Sequence, residues 1–361
     1  MKFIKYVFLF AFYFYFLINC VIIAMLEDGD FMKILVTGGA GYIGSHTVVE
    51  LLNSDYEVVI VDNFSNSKRE VLDKLKEITK KDFSFYEGDV CDKEFLRDVF
   101  SKEKIEGVIH FAGFKAVGES VEKPIMYYRN NIDSTLSLVE VMEENKVYNF
   151  VFSSSATVYG KPHALPIKED FPLSATNPYG YSKLMNEQIL KDLANSNQKW
   201  NIVLLRYFNP IGAHESGLIG EEPNGIPNNI MPYIMKVVTK ELKKVHVFGD
   251  DYDTKDGTGV RDYIHVVDLA RGHINALEHL KEGISIYNLG TGQGYSVLEL
   301  INTTKEVNNV DVPYVIDARR PGDIGACYAD ASRAFEEIGF KAEKGIEDMC
   351  KDSYRFASKN K

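Results

Sequence analysis

The sequence predicts an α/β protein in which a doubly wound parallel sheet is followed by a smaller mixed α/β carboxy-terminal lobe. Short apolar runs, typical of buried parallel strands, alternate with helical segments as far as Arg206. After Tyr207 this alternation gives way to loops rich in Asn, Pro and Gly. We therefore expect a first domain at residues 32–206 and a second at residues 207–361, with parts of the second returning to the first.

The predicted strands of the first domain are residues 33–37, 57–61, 83–86, 107–110, 150–153 and 202–206. Helices are predicted between them, among others at residues 45–53, 133–144 and 182–194. Strands that alternate with helices at this interval form βαβ units, and βαβ units build a parallel sheet with helices on its faces.

The composition is that of a globular protein and excludes one class of partner. The chain has 361 residues, of which 45% are hydrophobic and 26% charged, and its net charge is −11. Proteins that bind nucleic acid usually present a basic face, so we expect no nucleic-acid partner. The cysteines at 20, 91, 327 and 350 are scattered without metal-ligand spacing, which favours reduced thiols and predicts no metal site.

A glycine-rich turn follows the first predicted strand. Gly38, Gly41 and Gly44 stand between this strand and a helix, where they allow the backbone to approach a pyrophosphate. Asp62 ends the second strand and suits the hydroxyls of an adenosine ribose. A carboxylate there repels a 2′-phosphate, so the pattern favours NAD over NADP and indicates a Rossmann-type domain.

A proton acceptor is predicted at Tyr179. Lys183 lies four residues later, so on a helix both side chains project from one face. A nearby ammonium lowers the pKa of a phenol, which makes Tyr179 a candidate base at neutral pH. Ser155 follows the fifth predicted strand and can hydrogen-bond the same substrate oxygen.

These motifs and several longer ones together resemble those of the UDP-glucose/UDP-galactose 4-epimerases, in the extended short-chain dehydrogenase/reductase family. The resemblance runs from Met32 to the carboxy terminus. It is carried by residues 37–46, 111–120, 152–160, 177–180, 205–210, 225–229 and 256–265.

The resemblance implies a mechanism and a set of binding residues. Tyr179 would take the proton of the sugar 4-hydroxyl with Ser155 sharing the hydrogen bond, Lys183 would hold the nicotinamide ribose, and hydride would pass from C4 to NAD and back. The implied cofactor residues are Gly38, Gly41, Tyr42, Ile43, Gly44, Asp62, Asn63, Asn66, Ser67, Asp89, Val90, Phe111, Ala112, Gly113, Lys115, Asn130, Ser155, Tyr179, Lys183 and Phe208. The implied UDP-hexose residues are Ser155, Tyr179, Asn209, Asn229, His246, Val247, Phe248, Arg261, Arg320, Asp323 and Cys327.

Cys327 stands where the resemblance implies a residue beside the 2-substituent of the sugar. A bulky tyrosine there is typical of epimerases restricted to glucose and galactose, and a small residue of those that also accept N-acetylhexosamines. We therefore expect turnover of UDP-GlcNAc and UDP-GalNAc as well. The alternative interpretation is that Cys327 is only a small buried residue.

Rival functions on this fold are sugar-nucleotide dehydratases, decarboxylases and a non-catalytic dinucleotide sensor. The dehydratases carry an Asp-Glu pair in the place of Ala156-Thr157, and neither of the latter can act as an acid or base. A sensor would not need Ser155, Tyr179 and Lys183 together with a UDP site.

The resemblance further implies a homodimer.

The amino-terminal residues 1–31 have no counterpart in the resemblance. Residues 6–26 carry no charge and are long enough to span a bilayer. The expected cofactor is intracellular, so we predict a cytoplasmic protein that begins at Met25 or Met32, with residues 1–31 as an upstream extension. The alternative is a membrane anchor at residues 6–26, with membrane contact only if this segment is retained.

Overall fold

A seven-stranded sheet organises the chain in the computed structural model, which describes residues 32–223, 227, 229–320 and 323–360. The strands, in chain order, are β1 (Lys33–Thr37), β2 (Glu57–Asp62), β3 (Ser84–Glu87), β4 (Gly107–His110), β5 (Asn149–Ser155), β6 (Asn201–Tyr207), β7 (Asn209–Ile211), β8 (Val245–Phe248), β9 (Val260–Arg261), β10 (Tyr263–His265), β11 (Gly283–Leu289), β12 (Tyr295–Ser296), β13 (Tyr314–Asp317) and β14 (Ala326–Cys327).

Helices connect the strands and cover the sheet. They are α1 (Tyr42–Asn53), α2 (Glu70–Thr79), α3 (Lys93–Lys102), α4 (Val117–Glu122), α5 (Pro124–Glu144), α6 (Pro178–Ser196), α7 (Ile230–Val238), α8 (Val266–Glu278), α9 (Val297–Asn308), α10 (Ser332–Ile338) and α11 (Ile346–Lys359). A 3₁₀ turn, Ala156–Tyr159, follows β5 directly.

The sheet order is β11-β6-β5-β4-β1-β2-β3, and every adjacent pair is parallel. The order reverses between β1 and β4, because β2 and β3 extend to one side and β5 and β6 to the other. In open parallel sheets a ligand cleft forms at such a reversal, beside the carboxyl ends of the strands. The predicted α/β class is therefore confirmed, and the site is expected at this edge.

The predicted strand bounds agree with the structure to within one or two residues, whereas the helices begin earlier than predicted. Helix α6 begins at Pro178 instead of residue 182, because Asn177 caps it: its Oδ1 accepts the backbone N–H of Gly180 at 2.8 Å. Proline at the first helical position has no N–H to leave unpaired. Tyr179 thus lies in the first turn of α6.

Two apolar cores support the fold. The first lies against the large sheet and includes Leu35, Val108, Phe150 and Leu204 with side chains of the flanking helices. The second fills the carboxy-terminal lobe between α7, α9 and α11 and the short paired strands β8 and β13. Strand β11 belongs to the large sheet although it comes from the second half of the chain.

Residues Lys33–Lys361 cluster as one compact unit. Within the part of the chain that the structure describes, no helix combines the length and the apolarity needed to cross a bilayer. The predicted leader at residues 1–31 lies outside the described residues, as does most of the 225–229 motif. The domain boundary after residue 206 and the cytoplasmic location stay predictions.

Candidate active site

A cavity of about 500 Å³ runs along the carboxyl edge of the sheet. It is lined by residues at the ends of β1 to β6, and it continues to Arg261 and Cys327 in the carboxy-terminal lobe. The cavity therefore spans the reversal of strand order, where the topology predicts a ligand.

The glycines between β1 and α1 form a tight cradle at one part of this wall. Gly38 has φ of +69°, which favours glycine. A Cβ on Gly44 would lie 2.2 Å from the carbonyl oxygen of Gly38, so no side chain fits there. Gly41 caps α1 without a side-chain hydrogen bond, which leaves backbone N–H groups of the first turn available to an anion. This geometry fits a pyrophosphate.

Asp62 ends β2 beside this cradle, and its side chain organises the surrounding loops. One carboxylate oxygen accepts the backbone N–H of Ala40 at 3.0 Å. The other accepts the backbone N–H of Phe64 at 2.9 Å and the hydroxyl of Ser67 at 2.8 Å. Each carboxylate oxygen has two lone pairs, so the oxygen held by Ala40 can still accept a ribose hydroxyl.

The structure brings every predicted cofactor residue to one wall of the cavity. These residues are Gly38, Gly41, Tyr42, Ile43, Gly44, Asp62, Asn63, Asn66, Ser67, Asp89, Val90, Phe111, Ala112, Gly113, Lys115, Asn130, Ser155, Tyr179, Lys183 and Phe208. They include residues at the ends of six strands, β1 to β6, and this distribution fits an extended dinucleotide better than a compact ligand.

Ser155, Tyr179 and Lys183 converge where β5 meets the first turns of α6. Ser155 interacts with Tyr179, and the Ser155 Oγ accepts the backbone N–H of Thr157 at 3.2 Å. Lys183 is 5% exposed and donates to the carbonyl oxygen of Ser153 at 2.7 Å. A hydroxyl, a phenol and an amine thus share one end of the cavity, as proton transfer to a substrate oxygen requires.

The sequence predicts a lowered pKa for Tyr179, and in the cofactor-free chain this prediction is wrong. Burial raises the pKa of Tyr179, and the hydrogen bond to Ser155 offsets part of this rise. Burial also lowers the pKa of Lys183 to about 8. The sequence places the two side chains on one helical face, but it does not show how far burial desolvates them, which disfavours both charged forms.

The two residues that follow Ser155 decide whether this position offers a second acid or base for catalysis. Ala156 and Thr157 both line the cavity. The Thr157 hydroxyl donates to Ser155 Oγ at 3.0 Å, so it orients the serine. Neither residue carries a group that titrates, so this position adds no second acid or base beside Tyr179.

The carboxy-terminal lobe supplies the other end of the cavity. Five predicted substrate residues line it, namely Asn209, Asn229, Arg261, Asp323 and Cys327. Strands β9 and β14 pair in parallel with Cys327 opposite Arg261, so the thiol and the guanidinium come from adjacent strands. Burial raises the pKa of Cys327 to about 11, which keeps the thiol neutral at physiological pH.

Four predicted substrate residues lie outside the cavity wall: His246, Val247, Phe248 and Arg320. Val247 is 1% exposed and packs in the second core, because β8 alternates its side chains between two faces. His246 Nδ1 lies 2.5 Å from an oxygen of Asp317. Their contact with a substrate stays a prediction.

Arg320 does not line the cavity, but it contacts a residue that does. Its guanidinium lies 4.7 Å from the ring centroid of Phe248 and donates to Asp323 at 2.9 Å. Asp323 is itself part of the cavity wall.

Sequence reasoning missed several lining residues, among them Lys68, Tyr207, Glu221 and Glu222. The two acids lie between β7 and α7, far along the chain from the glycine turn, yet they pair with Lys115 and Lys68. Two adjacent acids before a Pro- and Asn-rich segment were the only sequence signal, and such pairs are usually solvated.

The fold and the cavity define a dinucleotide-dependent enzyme of the short-chain dehydrogenase/reductase type, with a second ligand site next to the cofactor site. Residues 35–353 match the family model described as GDP-mannose 4,6 dehydratase. The UDP-glucose 4-epimerase of Bacillus subtilis is 60% identical over 331 residues, which cover 91% of this chain and 98% of that relative.

Solved structures show the same relationship. The UDP-glucose 4-epimerase of Bifidobacterium longum, in complex with NAD⁺ and UDP, has a TM-score of 0.89 and 57% identity, covering 91% of this chain and 99% of that one. The UDP-Glc/GlcNAc 4-epimerase of Campylobacter jejuni has a TM-score of 0.80 and 35% identity, covering 91% and 99%. The chain belongs to the UDP-glucose 4-epimerase family.

The burial of Lys183 leads to a prediction for the cofactor-free chain. In ¹³C-lysine NMR, one amine should titrate near pH 8 instead of 10.5, because the buried ammonium is poorly solvated. Since the folded pKa lies below the unfolded one, this group makes unfolding free energy rise with pH between about 8 and 10.5. The signal should vanish in Lys183→Met. An assigned Lys183 resonance that titrates above pH 10 would contradict the burial argument.

Proposed function

We propose that the protein interconverts UDP-glucose and UDP-galactose by NAD-dependent epimerisation at C4. The observation that carries this proposal is the convergence of Ser155, Tyr179 and Lys183 at one end of a cavity that also contains the glycine cradle. The relationship to epimerases that bind NAD and UDP supports the same reaction.

Each catalytic side chain has a distinct role in this proposal. The glycine cradle and Asp62 would hold NAD, which would supply an acceptor and donor of hydride for the sugar C4. Tyr179 takes the 4-hydroxyl proton and gives it back, and Ser155 holds the same oxygen through its hydroxyl. Lys183 supplies a positive charge beside the phenol, which stabilises the phenolate once the proton has left.

The cavity favours epimerisation over dehydration, although the matching family model is described as a dehydratase. Loss of water needs an additional acid and base for the C5 proton and the leaving hydroxyl. Ala156 and Thr157 provide neither. This position therefore offers no acid or base that would carry a 4-keto sugar on to loss of water.

We also propose that the substrate range includes UDP-GlcNAc and UDP-GalNAc. Cys327 lines the cavity with a small neutral side chain, next to the strand that carries Arg261. A larger residue at this place would fill the space that an N-acetyl group needs. The Campylobacter jejuni relative is a UDP-Glc/GlcNAc epimerase.

A homodimer is the third part of the proposal. Val121, Ile125, Tyr181 and Met185 expose between 41% and 66% of their surface, and they lie on α4, α5 and α6, which contact one another. A cluster of exposed apolar side chains on adjoining helices is typical of a protein interface. A second copy of the same helices offers a matching apolar surface, as in a two-fold dimer.

Tyr179→Phe tests the reaction. Removing only the hydroxyl should lower the kcat for UDP-galactose by about 10²- to 10⁴-fold, because the phenol is the group that exchanges the 4-hydroxyl proton in this proposal. The assay measures UDP-glucose formed without added NAD. The control is Tyr181→Phe, which alters a half-exposed tyrosine two residues away and should keep the native rate. Native turnover by Tyr179→Phe would reject both the mechanism and the enzymatic function.

Cys327→Tyr tests the substrate range. The tyrosine ring should lower turnover of UDP-GlcNAc by about tenfold or more and leave that of UDP-galactose within about twofold, since only the N-acetyl group needs the space. Both rates are measured on one preparation, with Cys327→Ala as the control that keeps the space. Native protein that turns over UDP-galactose but not UDP-GlcNAc would show the wider range to be wrong.

Ile125→Glu combined with Met185→Glu tests the dimer. Buried carboxylates without partners should destabilise the interface, so light scattering should give a mass near that of one chain. Phe335→Glu is the control, since Phe335 is 58% exposed on α10 and should leave the dimer intact. A monomeric native protein, or a double variant that stays dimeric, would contradict the proposed interface.

A further inference from the structure

Glu221 links the two halves of the cavity through a single oxygen atom. Its Oε1 accepts hydrogen bonds from Lys115 Nζ at 2.9 Å and from Asn229 Nδ2 at 2.8 Å. The side chain is 9% exposed, and its Oε2 is buried without a hydrogen-bond partner among the described residues. A carboxylate so poorly solvated depends strongly on the few partners that it has.

The partners of Glu221 belong to different parts of the fold. Lys115 follows β4 and lines the cofactor side of the cavity, whereas Asn229 caps α7 and lines the substrate side. Glu221 lies on the connection between β7 and α7, just after Gly220, which pairs with Ala213 in an isolated β-bridge. The backbone on one side of Glu221 is therefore fixed.

The negative charge of Glu221 acts on Tyr42, beside the glycine cradle. It adds to burial in raising the pKa of Tyr42, the first residue of α1. Lys115 lies 5.6 Å from the centroid of the Tyr42 ring, so the cation lies between an aromatic face and the carboxylate. Loss of the negative charge at residue 221 would leave this lysine without its ion-pair partner.

We propose that Glu221 is a positioning residue that couples retention of the dinucleotide to placement of the substrate-binding amide. This inference rests on the proposed function and on the expected contacts of Lys115 with NAD and of Asn229 with the UDP-sugar. Through the shared oxygen, a shift of the Lys115 ammonium changes the hydrogen bond that orients the Asn229 side chain.

The neighbouring acid provides a matched comparison. Glu222 pairs with Lys68, and both side chains are 47% exposed. An exposed ion pair is solvated and screened by salt, so its removal changes little. Glu221→Gln and Glu222→Gln each remove one negative charge from adjacent positions of one segment, and they differ in burial and in contact with Asn229.

The experiment measures how fast purified holoenzyme releases NAD, by dilution into excess labelled NAD, and determines kcat and KM for UDP-galactose in parallel. Glu221→Gln should speed NAD release by about tenfold and raise KM more than it lowers kcat, because a charge-assisted bond to Lys115 is lost. Glu222→Gln, which removes a solvated charge from the same cavity wall, should change both quantities several-fold less than Glu221→Gln does. Glu221→Asp keeps the charge and should restore part of the retention.

The outcomes distinguish failure of the inference about Glu221 from failure of the proposed function. If native protein epimerises UDP-galactose but Glu221→Gln releases NAD at the native rate, the inference is wrong and the function stands. Equal effects of Glu221→Gln and Glu222→Gln also overturn it, because a net-charge effect would then suffice. Native protein that neither holds NAD nor epimerises UDP-galactose overturns both. Matching thermal unfolding midpoints would show that Glu221→Gln is folded.

Discussion

The buried ion pair between Arg206 and Glu187 is the interaction on which the geometry of the catalytic end depends. Both side chains are at most 1% exposed, and the guanidinium donates to the carboxylate twice, at 2.9 and 2.6 Å. The same carboxylate accepts the hydroxyl of Ser154 at 2.6 Å. The pair therefore fixes α6 against β5 and β6, and removing one partner would cost about 3–5 kcal/mol because the other charge would stay buried.

Polar contacts extend this network across the sheet to β11. Arg206 also donates to the hydroxyl of Tyr159, which in turn donates to Asn288 on β11 at 2.7 Å. Beyond the sheet, buried Asp262 accepts backbone N–H groups of Thr291 and Ala329 at 2.8 and 3.0 Å. The walls of the cavity are thus held by directional bonds that determine distance and angle, which apolar packing alone does not do.

The parts of the molecule that follow from local patterns were predictable from the sequence. Buried strands, the glycine turn and Asp62 at a strand end depend on neighbours in the chain, and the structure places them as expected. Properties that depend on burial or on distant segments were not predictable. The direction of the Tyr179 pKa shift needs the depth of the site, and the contacts of Glu221 need the fold that brings Lys115 to it.

The position of strand β11 at the end of the sheet, next to β6, implies an order in which the sheet is completed. Strand β11 pairs along its whole length with β6, residue 201 opposite residue 283 and residue 207 opposite residue 289. Until the ribosome has released that later segment, the outer edge of β6 has free N–H and C=O groups, and such an edge pairs readily with other chains. The half that carries the glycine cradle therefore reaches its protected form only when most of the polypeptide has been synthesised.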